Sequence, residues 1–401
     1  MSVSGRTRDP WIAAAIVFVV AMACRLYLPY RAHDEGDERI YHALVEQWDA
    51  GRGHTLQGHP ILQEPGTDVA QYGQKLFFHP PGGIALFWLG HKVAGERGFI
   101  LAEMFSFALF YVATLLLAAQ VIEPFGALEA SITALLAGFS PIVLHVTAHY
   151  WLDGPVLAFA TLAAALAVAA VRRRHTGLAV AAGFALGAAS LVKPTAFLIV
   201  PGIAAVALAV LPRRERIGVR RSAIFLGTAA MLFAPWLLWR WHVLGTPFPG
   251  WAGRPTENLA TINPYVHYVT VVRSPWIYVR LLPRVHTTLV PSCLMLVAHW
   301  RIQPLRRTSL ALLLWAAAIV LVHVGLGYLG FSKVLRYVIL VSPALIVLFA
   351  AHAGTAWRRT PRSWALVGFA LVGLALEIVQ GVHTMRLNKD LILPWPGGLW
   401  E

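Results

Sequence analysis

At residues 37–41 the chain reads Asp37-Glu38-Arg39-Ile40-Tyr41, two acids next to a cation and a phenol. A carboxylate in a half-dry cleft can serve as a general base, because partial desolvation raises its pKa toward the working pH. Asp37 is the candidate for that task, with Glu38 beside it and Tyr41 a candidate for the cleft. Asp37 would equally suit the first turn of a helix, where an acid caps the backbone and meets the dipole. Farther on, Phe77-Phe78-His79-Pro80-Pro81-Gly82-Gly83 is stiff and then abruptly flexible. That run bends the chain into a following helix and lets His79 face the same cleft. His145, His149 and Asp153 are spaced four apart and on one helix would share a face. Such spacing suits a divalent cation or the polar lining of a vestibule; no further ligand accompanies it, and no metal is assigned. Three cations complete the set: Lys193, followed by Pro194; Arg240, close after Pro235-Trp236; and Arg336, followed by Tyr337. Lysine binds phosphate as a point charge and arginine in a bidentate manner, although a lysine at this kind of position also snorkels to an interface.

The elements that position these groups are membrane helices. The 401 residues are 58% hydrophobic and only 13% charged, with a mean hydropathy of +0.63. A soluble domain is about 45–50% apolar and about 25% charged. A soluble globular enzyme, a disordered chain and a secreted disulfide scaffold are thereby excluded. The net charge of +14 resides in short arginine clusters between apolar runs, the pattern of cytoplasmic loops and not of a nucleic-acid surface. Cys24 and Cys293 form no metal-type spacing.

Eleven runs approach the roughly 20 apolar residues that a span needs: 11–30, 99–121, 127–145, 152–171, 177–193, 195–211, 222–241, 285–300, 308–328, 335–353 and 364–384. Arginine clusters at Arg6/Arg8, Arg172–Arg174, Arg213–Arg221, Arg301–Arg307 and Arg358–Arg362 test this reading. If all are cytoplasmic, an even number of spans separates neighbours, and it does, provided that the short run 80–93 is a surface helix and not a span. The expected fold is an all-α polytopic membrane protein with the N-terminus inside. Residues 1–384 form a single transmembrane domain, with a large first outer loop (31–98), a second outer loop (242–284) and a short outer tail (385–401). In the first loop, Ile40, Tyr41, Leu44, Val45 and Trp48 make one apolar face of a predicted helix over 37–50. All the candidate residues then fall on the outer side, together with Arg254, Arg273, Arg280, Arg284 and Lys333. Carboxylates facing cations there suggest a site for a phosphate-bearing lipid and a hydroxyl-bearing acceptor. Arg25 with Tyr27 and Tyr30 reads as an aromatic-belt anchor, whereas Glu103 and Glu377 are acids inside apolar runs without an assigned role.

In this order the motifs resemble those of the GT-C superfamily of membrane glycosyltransferases, in particular the lipid A aminoarabinose transferase and the protein O-mannosyltransferases. The matching positions are Asp37-Glu38 with Tyr41, His79-Pro80-Pro81, Asp153-Gly154-Pro155, Gly183 and Gly187 before Lys193, Pro235-Trp236 with Arg240, and Arg336-Tyr337 before Pro343. They cover roughly residues 11–350. Near Glu103 relatives often carry an arginine, so the chain departs from the pattern there.

The resemblance implies a polyprenyl-phosphate sugar donor and inverting transfer to a hydroxyl outside the cytoplasmic (inner) membrane. Asp37 would be the base, Lys193, Arg336, Arg240 and Tyr337 would hold the donor phosphate, and Asp153 would position the acceptor. It also implies that the extramembrane C-terminal domain of larger members is missing, which leaves acceptor recognition to loops 31–98 and 242–284. A lipid-linked sugar flippase or secondary transporter is the alternative, but such proteins favour matched, interrupted repeats, and none is evident.

Overall fold

Within a bilayer no water reaches backbone N–H and C=O groups, so apolar runs must satisfy them internally as helices. The computed structural model describes residues 9–27, 37–64, 67, 69–211, 218–247, 267–359 and 364–390, and among these there is no strand. Every one of the eleven predicted runs is helical over most of its length. Six helices are long and apolar enough to cross a membrane: Arg97–Val121, Asp153–Arg172, Val219–Leu244, Gln303–Tyr328, Leu335–Arg358 and Trp364–Thr384. Ile277–Val285 and Leu289–Ala298 make a further broken span, bent by 87°. Pro10–Leu26, Ala127–Phe139, Thr176–Val192 and Pro194–Val210 are apolar but shorter. The chain is a multi-pass membrane protein. Arg6, Arg8, Tyr30, Arg213, Arg254 and the end of the tail lie outside the described residues.

Chain direction sorts the helix ends into two groups. Asp153 opens one helix, Lys193 follows the next, Arg240 sits near the end of Val219–Leu244, and Arg336 lies in the turn that leads into Ser342–Arg358. The opposite ends carry arginine clusters. Arg172 pairs with Glu123, Arg358 pairs with Glu129, and Arg307 donates to the Leu208 carbonyl at 3.1 Å. Two surface helices, Asp37–Asp49 and Gly82–Ala94, lie at the first end. The second turns into Arg97–Val121 with almost no space between the backbones: a Cβ at Gly90 would strike the Gly98 carbonyl, and one at Gly98 would strike that of Gly90.

Three elements differ from the sequence expectation. The run 127–145 is two helices, Ala127–Phe139 and Pro141–Val146, because Pro141 has no N–H and opens a new helix at its first position. The run 285–300 is not straight but breaks at His286-Thr287-Thr288. Glu377, from Trp364–Asp390, reaches this break and accepts bonds from Ser140 Oγ (2.9 Å), Thr288 N (3.0 Å), Thr288 Oγ1 (3.0 Å) and His286 Nδ1 (3.2 Å). His286 Nε2 meets Ser342 Oγ at 3.0 Å. The buried acid thus supplies acceptors for backbone and side-chain donors that the bend frees from the helix ladder. Arg25 is no interfacial anchor either. It is buried, its guanidinium sits 3.4 Å from the Phe107 ring centroid, and it donates to the Gly138 carbonyl at 3.0 Å.

Glu377→Ala would orphan several donors where water cannot replace the acceptor, at about 1–3 kcal/mol each. The purified variant should unfold at a clearly lower temperature than wild type, and Glu377→Gln, which keeps one acceptor oxygen, should fall between them. An unchanged melting curve for the alanine variant would refute the bracing role.

Candidate functional site

Asp37 opens the helix Asp37–Asp49, whose buried face carries Glu38, Ile40, Tyr41, Ala43, Leu44, Val45 and Gln47. That face docks the helix on the bundle and leaves the Asp37 carboxylate at the edge of the mouth at this end. Asp153 lies in the first turn of Asp153–Arg172. Lys193 is held in extended conformation (φ −152°, ψ 123°) because Pro194 follows it and ends the preceding helix. Arg336 lies in the 3-10 turn Leu335–Val341, which precedes the α-helix carrying Pro343 near its start.

These four residues form one chain of alternating charge. Lys193 Nζ is 2.8 Å from Asp153 Oδ1, Arg336 Nε is 3.9 Å from Asp153 Oδ2, and a guanidinium nitrogen of Arg336 is bonded to Asp37. Side-chain exposure is lowest at Asp153 (5%), intermediate at Lys193 and Arg336 (14% each) and highest at Asp37 (32%). Asp37 is therefore the carboxylate that an incoming molecule can reach, and Asp153 the one that holds the two cations in place. The Arg336 Nε–H is buried without a hydrogen-bond partner among the described residues. Tyr337 lies under both cations, its ring centroid 4.9 Å from Lys193 Nζ and 5.8 Å from the Arg336 guanidinium.

Tyr41 and His79 line the same mouth. Their ring centroids are 6.4 Å apart, and Phe77 packs edge-on against Tyr41. Burial, reinforced by the Asp37 carboxylate, pushes the Tyr41 phenol well above its ordinary pKa. Burial and then the Lys193 ammonium push the His79 imidazole well below its own, so it stands neutral. The His79 carbonyl accepts a 2.8 Å bond from His54 Nε2, and burial brings His54 down to about 4. Gly82 permits this arrangement: a Cβ there would sit 2.9 Å from the Leu191 backbone, just before Lys193.

Other sequence candidates lie elsewhere. The Glu38 carboxylate points away from Asp37, accepting bonds from His149 Nδ1 (3.0 Å) and the Tyr150 amide (2.9 Å). Arg240 is buried behind residues 77–79, donating to the Phe78 carbonyl at 3.4 Å. Lys333 turns to the Thr270 carbonyl, and Arg273 donates to the Lys333 carbonyl at 3.0 Å; both brace the segment before Arg336 and stand outside the ion chain. His145, His149 and Asp153 do not share a helical face, because the helix stops at Val146 and restarts at Asp153. Among the described residues no three metal-ligating side chains come together in a way that could hold an ion.

Sequence reading missed Trp151. His149 stacks on its ring (4.2 Å, 10°), and the Arg336 guanidinium lies 4.0 Å from its centroid. Glu38, His149, Trp151, Arg336 and Asp37 thus close a ring of contacts beginning and ending on adjacent residues. The only sequence signal was an aromatic two residues before Asp153. Glu103, fully buried with neither oxygen hydrogen-bonded among the described residues, stands against Gly154, where a Cβ would press on its carboxylate.

Known proteins share parts of this arrangement of apolar helices. Residues 78–239 match the family model described as dolichyl-phosphate-mannose-protein mannosyltransferase. Among solved structures, ArnT from Cupriavidus metallidurans bound to undecaprenyl phosphate is similar with a TM-score of 0.61 at 22% identity, over 91% of this chain and 62% of that one. Its apo form gives 0.60 at 19% identity, over 97% and 76%. The oligosaccharyltransferase AglB from Archaeoglobus fulgidus, in complex with an inhibitory peptide and a dolichol-phosphate, gives 0.56 at 14% identity, over 95% and 55%. The chain thus spans less than two thirds of the ArnT chain it matches with the higher score, and at these identities the likeness is one of fold. No curated protein matches the chain in sequence.

A histidine buried neutral makes stability depend on pH. An unfolded chain protonates His54 near 6.5, whereas the folded one resists until about 4. The contribution of His54 is fully present above pH 6.5 and declines as pH falls from 6.5 toward 4. Unfolding temperature should drop over that window, and His54→Asn should flatten the drop; an equally steep profile in the variant would exclude His54 as its source.

Proposed function

We propose that this protein is an integral membrane glycosyltransferase of the cytoplasmic membrane that moves a sugar from a polyprenyl-phosphate donor to an acceptor hydroxyl at the outer face, with inversion. The observation that carries the reading is the chain Asp37–Arg336–Asp153–Lys193, with one reachable carboxylate and two cations held side by side at a membrane mouth. A membrane-borne phosphate needs paired cations near its headgroup, and acceptor activation needs a base within reach. The family match over 78–239 and the two lipid-phosphate-bound relatives agree with a donor of this class. The arginine-rich opposite end supports a cytoplasmic face there, with the N-terminus inside.

In this mechanism Arg336 has two engagements. One is its bond to the Asp37 carboxylate. A phosphate settling between Lys193 and Arg336 competes for the guanidinium, offers an acceptor to the orphaned Nε–H, and leaves the Asp37 carboxylate free. The acceptor oxygen then attacks C1 as its proton passes to Asp37. The C1–O bond to the donor phosphate breaks on the opposite face, which inverts C1, and the two cations stabilise the charge gained by the departing polyprenyl phosphate. Asp153 keeps both cations in register, Tyr337 lies beneath them, and Tyr41 and the neutral His79 shape the acceptor side. Arg240 contributes by holding the Phe78 carbonyl and so the His79 segment. Glu38 acts through the 149–151 segment. The acceptor is a hydroxyl-bearing glycan, lipid or protein.

Loss of a general base costs about 10²–10⁴-fold. Asp37→Asn should lower turnover by that order with labelled polyprenyl-phosphate sugars, while expression and donor binding stay near wild type. Wild-type transfer by the variant would take Asp37 out of the reaction. Lys193→Glu should instead raise the donor concentration needed for half-maximal release of lipid phosphate, and an unaltered requirement would remove Lys193 from the donor site.

A further inference from the structure

At the end of the bundle opposite Asp37, four helices leave an apolar groove of about 100 Å³, open on one side. Its walls include Ala170 and Ala179 on either side of the Arg172–His175 turn, Ile203 and Ala204 from the next helix, and Phe225. Arg221 and Ser222 line it as well, in the first turns of Val219–Leu244. A water needs roughly 10–15 Å³ and two to four polar partners. The space is ample, but the walls away from Arg221 and Ser222 are hydrocarbon. Small alanines at five wall positions (167, 170, 179, 204 and 207) leave room between the helices for a slender chain.

The charge at this end selects the occupant. Arg173 and Arg220 are exposed and Arg221 is half-buried, and among the described residues none of the three is ion-paired with a carboxylate. Among the described residues no acid lines the groove. Basic pockets between helices on the cytoplasmic side favour anionic lipid headgroups, at about 1 kcal/mol per basic residue near the surface. We infer that the groove is a binding site for an anionic phospholipid, with one acyl chain between Ala170, Ala179 and Ala204 and the phosphate on Arg221 and the Ser222 hydroxyl. This site is remote from the acid–cation chain and independent of the transfer chemistry.

The test incubates the full-length protein, purified in mild detergent, with phosphatidylglycerol or phosphatidylcholine of identical acyl chains, and counts retained lipid by native mass spectrometry. Wild type should retain phosphatidylglycerol about fivefold better than phosphatidylcholine, as one headgroup-bound arginine implies. Arg221→Gln should bring the two lipids to equal retention. Ala204→Phe, which fills the groove, should abolish retention of both; if that variant does not fold, Arg221→Gln decides alone. Equal retention of both lipids by wild type, or undiminished selectivity in Arg221→Gln, would overturn the proposal. So would a polyprenyl phosphate displacing phosphatidylglycerol from wild type, since the groove would then hold the donor's tail.

Discussion

Two carboxylates and two cations share one mouth of the bundle, and the rest of the architecture follows from how they are held. An ionisable side chain at membrane depth is costly unless it is paired or faces a polar cavity. Removing one partner of a buried pair leaves an uncompensated charge. Alternating Asp37, Arg336, Asp153 and Lys193 gives each charge an opposite neighbour. Each of the four comes from a different segment, so the chain of ion pairs also ties the first surface helix to three helix ends. Its most exposed member is Asp37, with 32% of the side chain accessible.

The same constraint explains the polar groups placed deep in the bundle. A broken span frees backbone donors where no water can replace the lost bonds. Glu377 answers this at the 286–288 bend, turning an acid inside an apolar run into a structural acceptor. Glu38 does comparable work closer to the surface, fixing the turn between Val146 and Asp153 through the His149 ring and the Tyr150 amide. That turn carries Trp151 against Arg336. Adjacent acids, Asp37 and Glu38, therefore have divided tasks: one faces the mouth, and the other holds the wall that supports its partner.

The two ends of the bundle are chemically distinct. One has paired opposite charges, neutral buried imidazoles and aromatic rings, an environment suited to gripping an anion and moving a proton. The other has arginines in excess of acids and a hydrocarbon groove beside them. Short connections between helices enforce this separation: the helices that follow Asp153, Lys193 and Arg336 end beside Arg172, Leu211 and Arg358.

Hydropathy and charge in the sequence were enough to determine the helical membrane class, the location of the apolar runs and the clustering of Asp37, Asp153, Lys193 and Arg336 at one end. These depend on composition along single segments and on the parity of arginine clusters, which need no knowledge of neighbours. The motif order likewise pointed to the GT-C fold. Partner choice was not legible. Whether Glu38 assists Asp37 or pins His149, whether Arg240 and Lys333 join the ion chain, and whether 285–300 is straight or bent all depend on side chains contributed from tens to hundreds of residues away. His145, His149 and Asp153 show the limit plainly, since their spacing implies a shared face only if the helix continues, and its continuity is a matter of packing. Burial and pairing are properties of the assembled bundle, and so the tertiary structure alone decided which charges became a site and which became braces.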